Sequence, residues 1–524
     1  MKSKTKILIA VFTLTLVSCL ENKIVYDTEN LEFRTMEFVG PIAKIHAPLY
    51  ASLKKELKDD FEGSIEIMEI GGEKVICVKY TETHIIEWSD EIGFRGTTKT
   101  FAVPVVTNGL SSITGNKTFP VHLYSSDDEE SSYVKVADLI GEGKFEFSVN
   151  EGNLMGSITI TVDELKDKNG QSFSRELNLS PGQVYNVSTI DLDGYRIETD
   201  NDHNLNLNID VSVSGTTPGV NLDELVVYFT LSDMDMSYMS GYFGQIDSDE
   251  EGKMPFDFLK ELDFDGTVGF RNVQIDAVAN NWVGMPIKVA ADFFFDNETE
   301  PLDFKPKFDF TVTPAPNKGD KSVNLFSTKI SEKEFVGGNY PSELIYKVKS
   351  KTNPDGNTNG DVTNFIVKRD DGILSDVEFT LTVPLDIKVK AYNRKDTVKF
   401  DYNDIVGNHD DYVNNVEYVH VTLLVDNGLP FDVTLDVSAI NESGSFTSPI
   451  VTKEILSNKK DQRIEIELNE NQLRDFRKRE VKHIVINSRS NTENEGYVTV
   501  TEDAYLDVAV SVNVKADLPS NIFE

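Results

Sequence analysis

The chain has 524 residues, 39% of them hydrophobic, with 31 Phe and 18 Tyr. That is enough apolar surface to build real cores, and it excludes a disordered acidic tail. Eighty-eight acids against 51 Lys and Arg give a formal net charge of −37, which opposes nucleic acid and anionic headgroups and suits cationic partners or calcium.

The chain opens on Lys2, Lys4 and Lys6, followed by an apolar core from Ile7 to Val17. Leu16-Val17-Ser18-Cys19 closes that core. An apolar run this short cannot span a bilayer and has the layout of an export signal. A small residue before Cys at this point predicts removal of residues 1–18 and acylation of Cys19. Residues 1–18 hold three lysines and no acid, so the mature chain is more acidic still. Each buried methylene adds about 0.8 kcal/mol, so several acyl chains hold far more firmly than one. No later stretch is long and apolar enough to cross a membrane, so lipid is the expected anchor. The signal resembles that of Bacteroidota outer-membrane lipoproteins. This resemblance implies an outer-membrane protein on the periplasmic face or at the cell surface. Cys19-Leu20-Glu21-Asn22-Lys23 carries one acid and then a lysine, which leaves both faces open.

Residues 20–44 read as an extended tether. Leu49, Leu53, Leu57 and Phe61 then recur every four residues behind Pro48, the stripe of a helix lying on a core. Beyond it the period becomes two. Ile65, Ile67 and Glu69 lead into Gly71-Gly72, and Val75, Cys77 and Lys79 return, a hairpin. Cys77 is the only other cysteine. With Cys19 acylated it has no disulfide partner, and its apolar neighbours make it a buried structural thiol. Strand patterns follow at 117–124, 144–149, 155–162 and 205–213. Asn169-Gly170 marks a tight turn with positive φ expected at both residues. Asn469 and Gln472 resemble a capping box opening a short late helix. Alternation returns over 508–515 to finish the chain.

Residues 275–289 and 421–433 share a plan: alternating strand, Asn, Gly, apolar residue, Pro, alternating strand. Aligned on those letters, Trp282-Val283 is an insertion in the first copy, and Asp292 matches Asp436. Gly permits a sharp corner, and Pro starts the next strand where it owes no ladder bond. The repeat predicts tandem domains of like fold, with residues 313–319 as the linker between them. The pattern resembles the seven-stranded sandwich of late-embryogenesis type 2 domains. The whole layout is similar to that of uncharacterised multi-sandwich lipoproteins of Bacteroidota, which imply no established activity.

Candidate chemistry is sparse. Asp355, Asn357, Asn359 and Asp361 put oxygen ligands at alternate positions with Gly360 sixth, like the start of a calcium loop. The twelfth position is Ile366 rather than an acid, and a polar loop suits the same letters. Tyr238, Tyr242 and Phe243, among Met239, Ser240, Gly241 and Gly244, could line a sugar or peptide groove or fold onto their own core. Gly407-Asn408-His409-Asp410 matches one metallophosphoesterase block, but the companion blocks that bind the second metal are missing. The seven histidines show no metal-ligand spacing. Acidic runs at 127–130 and 247–251 read as solvated loops.

The expectation is a mostly β chain of tandem antiparallel sandwich-like domains with one or two short helices. Its divisions are a signal peptide (1–18), a lipidated tether (19–44), a β-rich module with one helix (45–140) and two sandwich-like domains (141–315 and 316–524). The expected function is a non-catalytic, membrane-anchored envelope lipoprotein with no cofactor, or calcium at most. It would bind an envelope protein or a glycan, or act as an accessory scaffold. A fimbrillin-like pilus or adhesin subunit and a glycan-active hydrolase are the alternatives.

Overall fold

The computed structural model describes residues 35–57, 63–86, 92, 97–104, 112–126, 132–149, 154–180, 185–187, 190–215, 224–232, 235–261, 266–337, 339–357, 362–399, 416–441, 446–468, 481–492 and 496–517. The export signal, Cys19, residues 407–410 and the late helix lie outside them. The described chain is mostly antiparallel β, as the alternation requires.

Two sandwiches carry the repeat. Their strands are numbered here in chain order: β1 (Thr35–Pro48), β2 (Glu73–Ile85), β3 (Asp247–Pro255), β4 (Thr267–Asn281), β5 (Ile287–Phe295), β6 (Asp309–Val312), β7 (Ser322–Val336), β8 (Glu343–Thr352), β9 (Ser375–Pro384), β10 (Tyr392–Lys399), β11 (Val416–Asn427), β12 (Val433–Asn441), β13 (Phe446–Ile455), β14 (Lys459–Leu468), β15 (Val481–Ser490) and β16 (Tyr505–Asp517). The middle sandwich stacks a sheet ordered β3-β8-β5-β6 on a seven-stranded one that contains β2-β9-β4-β7, with Ser64–Ile70 beyond β2 and the strands Asp386–Lys390 and Val498–Thr499 continuing from β4. The last stacks β10-β15-β12-β13 on β1-β16-β11-β14. The eight strands named for each follow the same order. In each, the first strand comes from the N-terminal segment and pairs with a strand hundreds of residues later, β1 at the sheet edge and β2 with Ser64–Ile70 on its other side.

Rings cross the middle core. Phe293 and Tyr346 of one sheet pack on Phe379 of the other at 5.8 and 5.0 Å between centroids. Aliphatic side chains fill the last core, with Leu435 and Val437 facing Leu423, Val425, Val508 and Val510. A first body lies in the chain between β2 and β3. Its larger sheet runs Ser112–His122, Asn204–Gly215, Leu154–Lys166, Arg196–Glu198, Tyr133–Ile140, Asp235–Tyr242 and Asn364–Val367. That final strand comes from between β8 and β9, so the first body and the middle sandwich share a sheet.

The repeat is stricter than the letters suggest. Asn281 and Asn427 are 0% and 1% exposed. Asn281 Oδ1 accepts from Val283 N at 3.0 Å, and its Nδ2 donates to Met285 O and Thr313 O at 2.9 and 3.0 Å. Asn427 does the same toward Leu429 N, Phe431 O and Leu456 O at 2.9, 3.3 and 3.2 Å. Equal offsets of two and four residues align the corners without a gap. Trp282-Val283 is therefore no insertion, Val283 corresponds to Leu429, and Asp292 falls opposite Ser438 rather than Asp436. Each buried amide gathers backbone groups that a sharp corner would leave unpaired.

Other expectations need correcting. Residues 313–319 join β6 to β7 inside the middle sandwich, so they are no interdomain linker, and the 315/316 boundary cuts a single core. The 140/141 boundary separates two neighbouring strands of the first body. Residues 35–44 of the expected tether belong to β1. The acidic run at 247–251 is strand, because its outward acids face lysines across the ladder: Asp247 to Lys351, Asp249 to Lys349, Glu251 to Lys347. Opposite charges directly across a pair stabilise what like charges would melt. At Asn169-Gly170 only Gly170 has positive φ, and Asp167 caps the turn from its side chain. The early helix is as expected: α1 (Leu49–Glu56) buries Leu49 and Leu53, with Leu57 buried just beyond, and Leu49 N bonds Ala504 O at 2.8 Å.

Candidate functional site

The aromatic and glycine cluster is a seam between the first body and the middle sandwich. Phe243 and Tyr242 are 0% and 2% exposed, so neither offers a face to a ligand. Tyr238 keeps partial exposure, with Lys318 Nζ 4.3 Å from its ring centre. Gly241 and Gly284 are required by close approach. A methyl on the first would overlap Tyr133 O, and one on the second would overlap the Phe365 ring. A buried amide pair closes the seam. Asn353 Nδ2 donates to Asn364 Oδ1 at 2.8 Å, and Asn364 Nδ2 donates to Asn353 Oδ1 at 2.9 Å.

The calcium candidate begins just beyond this pair. Asn357 Oδ1 accepts from Val362 N at 3.3 Å, closing the loop on itself. Asn359 and Asp361 lie outside the described residues. Among the described residues no three His, Cys, Asp or Glu side chains gather at metal-binding distance. Cys77 is buried and free, and burial pushes its thiol up to about 11.

A different polar cluster forms between the C-terminal half of β2 and the edge strand β3. Glu82 stands opposite Phe379 in the ladder, so it points into the sandwich, and His84 two residues on shares that face. From the facing sheet, Glu250 Oε2 lies 2.9 Å from His84 Nε2, an ion-pair distance without hydrogen-bond alignment. Ser248 Oγ donates to Glu250 Oε1 at 2.9 Å. The Tyr346 ring meets His84 edge-on at 5.7 Å. Burial, with Glu82 and Glu250 nearby, pushes its phenol up to about 12, so it stays a donor at neutral pH. Gly252 makes the space, since a methyl there would overlap Tyr346. The cluster places an imidazole, two carboxylates and a phenol beside one another where the two sheets face. Sequence reading missed the cluster because 166 residues separate His84 from Glu250. The available signal was local: Glu82 and His84 occupy the face that Val78 and Tyr80 mark as core.

A second cluster lies at one end of the first body. His203, at φ 63°, stacks on Tyr133 at 3.7 Å with the planes 2° apart. Its Nδ1 is buried without a hydrogen-bond partner. Burial, then His122 and Lys135, hold its pKa below the ordinary histidine value, against Asp200 and Asp202. The folded state therefore binds fewer protons than the unfolded one below about pH 6.5, and stability falls as pH drops through that window. We expect His203→Asn, which tolerates the same backbone, to flatten the fall in melting temperature between pH 7.5 and 5.5. Parallel slopes for wild type and variant would contradict this.

A cavity of about 20 Å³ in the last sandwich, lined by Leu429, Phe431, Leu435, Ile455 and Leu506, has room for a water and no more. No described helix is long and apolar enough to cross a membrane.

No family model matches this chain, and no curated protein matches it. Among solved structures, it overlaps a protein of Parabacteroides distasonis described as secreted, at 11% identity and a TM-score of 0.27, over 54% of this chain and 90% of that one. The Gx strain of infectious bursal disease virus gives 10% identity and a TM-score of 0.13, over 82% and 81%. The CBM22-1–CBM22-2 tandem domain of Paenibacillus barcinonensis Xyn10C gives 10% identity and a TM-score of 0.10, over 59% and 97%. At these scores none carries an argument about this chain.

Proposed function

We propose that this chain is a lipid-anchored protein of a bacterial outer membrane that binds or scaffolds rather than catalyses. The observation that carries the reading is the position of β1. It starts sixteen residues beyond Cys19 and pairs along the last strand of the last sandwich. Fully extended, that spacer reaches at most about 55 Å, so the anchor holds the last sandwich near the bilayer. The shared sheet and the interleaved strands then hold the other bodies to it. Such a body suits adhesion, ligand capture or support of an envelope partner. Cys19→Ser tests it. The wild type is expected to take up labelled palmitate and fractionate with the envelope, and the variant to do neither. A variant that stays in the envelope with unchanged label would end this reading.

A pilus or adhesin subunit is the second reading, favoured by the edge position of β1. Removing it would bare the outer side of β16 to a strand of another copy. We expect deletion of residues 20–48 to give concentration-dependent oligomers by light scattering. A truncated chain that stays monomeric would count against a subunit of this kind.

A further inference from the structure

One plan in two copies allows corresponding strands to be compared position by position. β7 and β14 each form the outer edge of their sheet, beside β4 and β11. On the side away from β4, Lys329 exchanges backbone bonds with Lys305, at 3.0 and 3.4 Å. Backbone groups alternate direction along a strand, so Val323, Leu325 and Ser327 turn theirs to the same open side. Among the described residues no backbone bond meets them there. Val323 and Leu325 are 52% and 78% exposed. Lys321 and Lys329 flank them, and among the described residues neither is ion-paired to a carboxylate.

The twin strand is built differently. Val278 stands three residues before Asn281 and faces Leu325, and Leu424 stands three before Asn427 and faces Arg463. By the same register Ser327 corresponds to Glu465 and Lys329 to Glu467. β14 also shifts register between Val425 and Asn427, with Asp461 at φ 53°. Charge and bulges are how edge strands avoid pairing with other chains, and β7 has neither over Val323 to Ser327.

We propose that the open edge of β7 takes an extended strand from an acidic partner protein. The strand would pair with the backbone of Val323, Leu325 and Ser327, lay apolar side chains over Val323 and Leu325, and set carboxylates against Lys321 and Lys329. A second copy of this chain fits less well. The antiparallel register that sets Leu325 against itself sets Lys321 against Lys329 at both ends. This surface is independent of the anchor and of the cluster around His84.

Fluorescein-labelled heptapeptides test it against the full chain by anisotropy at low salt. One alternates valine and threonine between a terminal aspartate and a terminal glutamate, and the other has lysine at both ends. The acidic peptide is expected to bind saturably, and the lysine peptide about tenfold more weakly. A Leu325→Arg, Ser327→Glu double variant, which gives β7 the charges of its twin, is expected to lose about tenfold in affinity for the acidic peptide at unchanged melting temperature. No binding to wild type, equal binding of both peptides, or undiminished binding to the double variant would overturn the proposal. So would a wild-type dimer in analytical ultracentrifugation that Leu325→Arg alone dissociates, since the edge would then belong to a second copy.

Discussion

Asn281→Ala is expected to destabilise the middle sandwich while leaving the last one as stable as before, and Asn427→Ala to do the reverse. Each substitution removes one amide that serves three backbone groups in a dry corner. For Asn281 these are Val283 N, Met285 O and Thr313 O. Water cannot replace the amide where the residue is 0% exposed. Leaving a buried polar group unpaired costs about 1–3 kcal/mol, so each variant should lose about 2–4 kcal/mol. Hydrogen exchange read by segment separates the two cases. In Asn281→Ala, faster exchange should concentrate in β4, β5 and β6. In Asn427→Ala it should concentrate in β11, β12 and β13. Aspartate is no rescue, because it keeps the acceptor for Val283 N and loses the donor to both carbonyls. Uniform loss of protection across both sandwiches would show that the corners are not separate structural units.

Asp386→Ala should uncouple the two sandwiches. Asp386 sits just beyond β9, its side chain 8% exposed, and receives Arg271 twice, Nε to Oδ2 at 2.7 Å and Nη2 to Oδ1 at 2.9 Å. Asn272 Nδ2 adds a bond at 3.1 Å and Thr499 Oγ1 one at 3.4 Å. Asn272 is at φ 62°, where β4 changes partner from β9 to the strand Asp386–Lys390. Thr499 lies in the chain between β15 and β16 of the last sandwich, and its strand Val498–Thr499 joins the middle sandwich's sheet by pairing with Asp386 and Ile387. One carboxylate thus fixes the kink in β4 and the docking of the next body. Removing one partner of a buried pair costs about 3–5 kcal/mol, and the 42% exposure of Arg271 lowers that to about 2–3 kcal/mol here. Exchange should rise first in Val498–Thr499 and Asp386–Lys390. Asp386→Asn should recover part of the loss, since it keeps an acceptor for Asn272. Full stability in Asp386→Ala would show that strand pairing alone holds the junction.

Much of this architecture is written locally. Alternation at 205–213 gives a strand because Leu205, Leu207, Ile209, Val211 and Val213 all face one core. The four-residue spacing of Leu49, Leu53 and Leu57 gives α1 for the same reason. The corner repeat was visible in its letters, yet its alignment was not, because Gly and Pro mark a turn while the buried amide sets its register. Domain limits were illegible for a different cause. β1 and β2 pair with strands about 470 and 300 residues away, and no local pattern encodes a partner at that range. The same distance hid His84 from Glu250. The letters of the aromatic cluster 238–244 suit a groove or a packed core alike, because a seam between two bodies uses the residues that a ligand site would.

The most direct test is hydrogen exchange of the chain lacking residues 20–48 beside the full chain. If β1 completes the last sandwich, amides of β16 and its neighbour β11 should exchange much faster in the truncated chain, while β4 and β9 stay protected. Unchanged protection of β16 would mean that the N-terminal strand does not close that sheet.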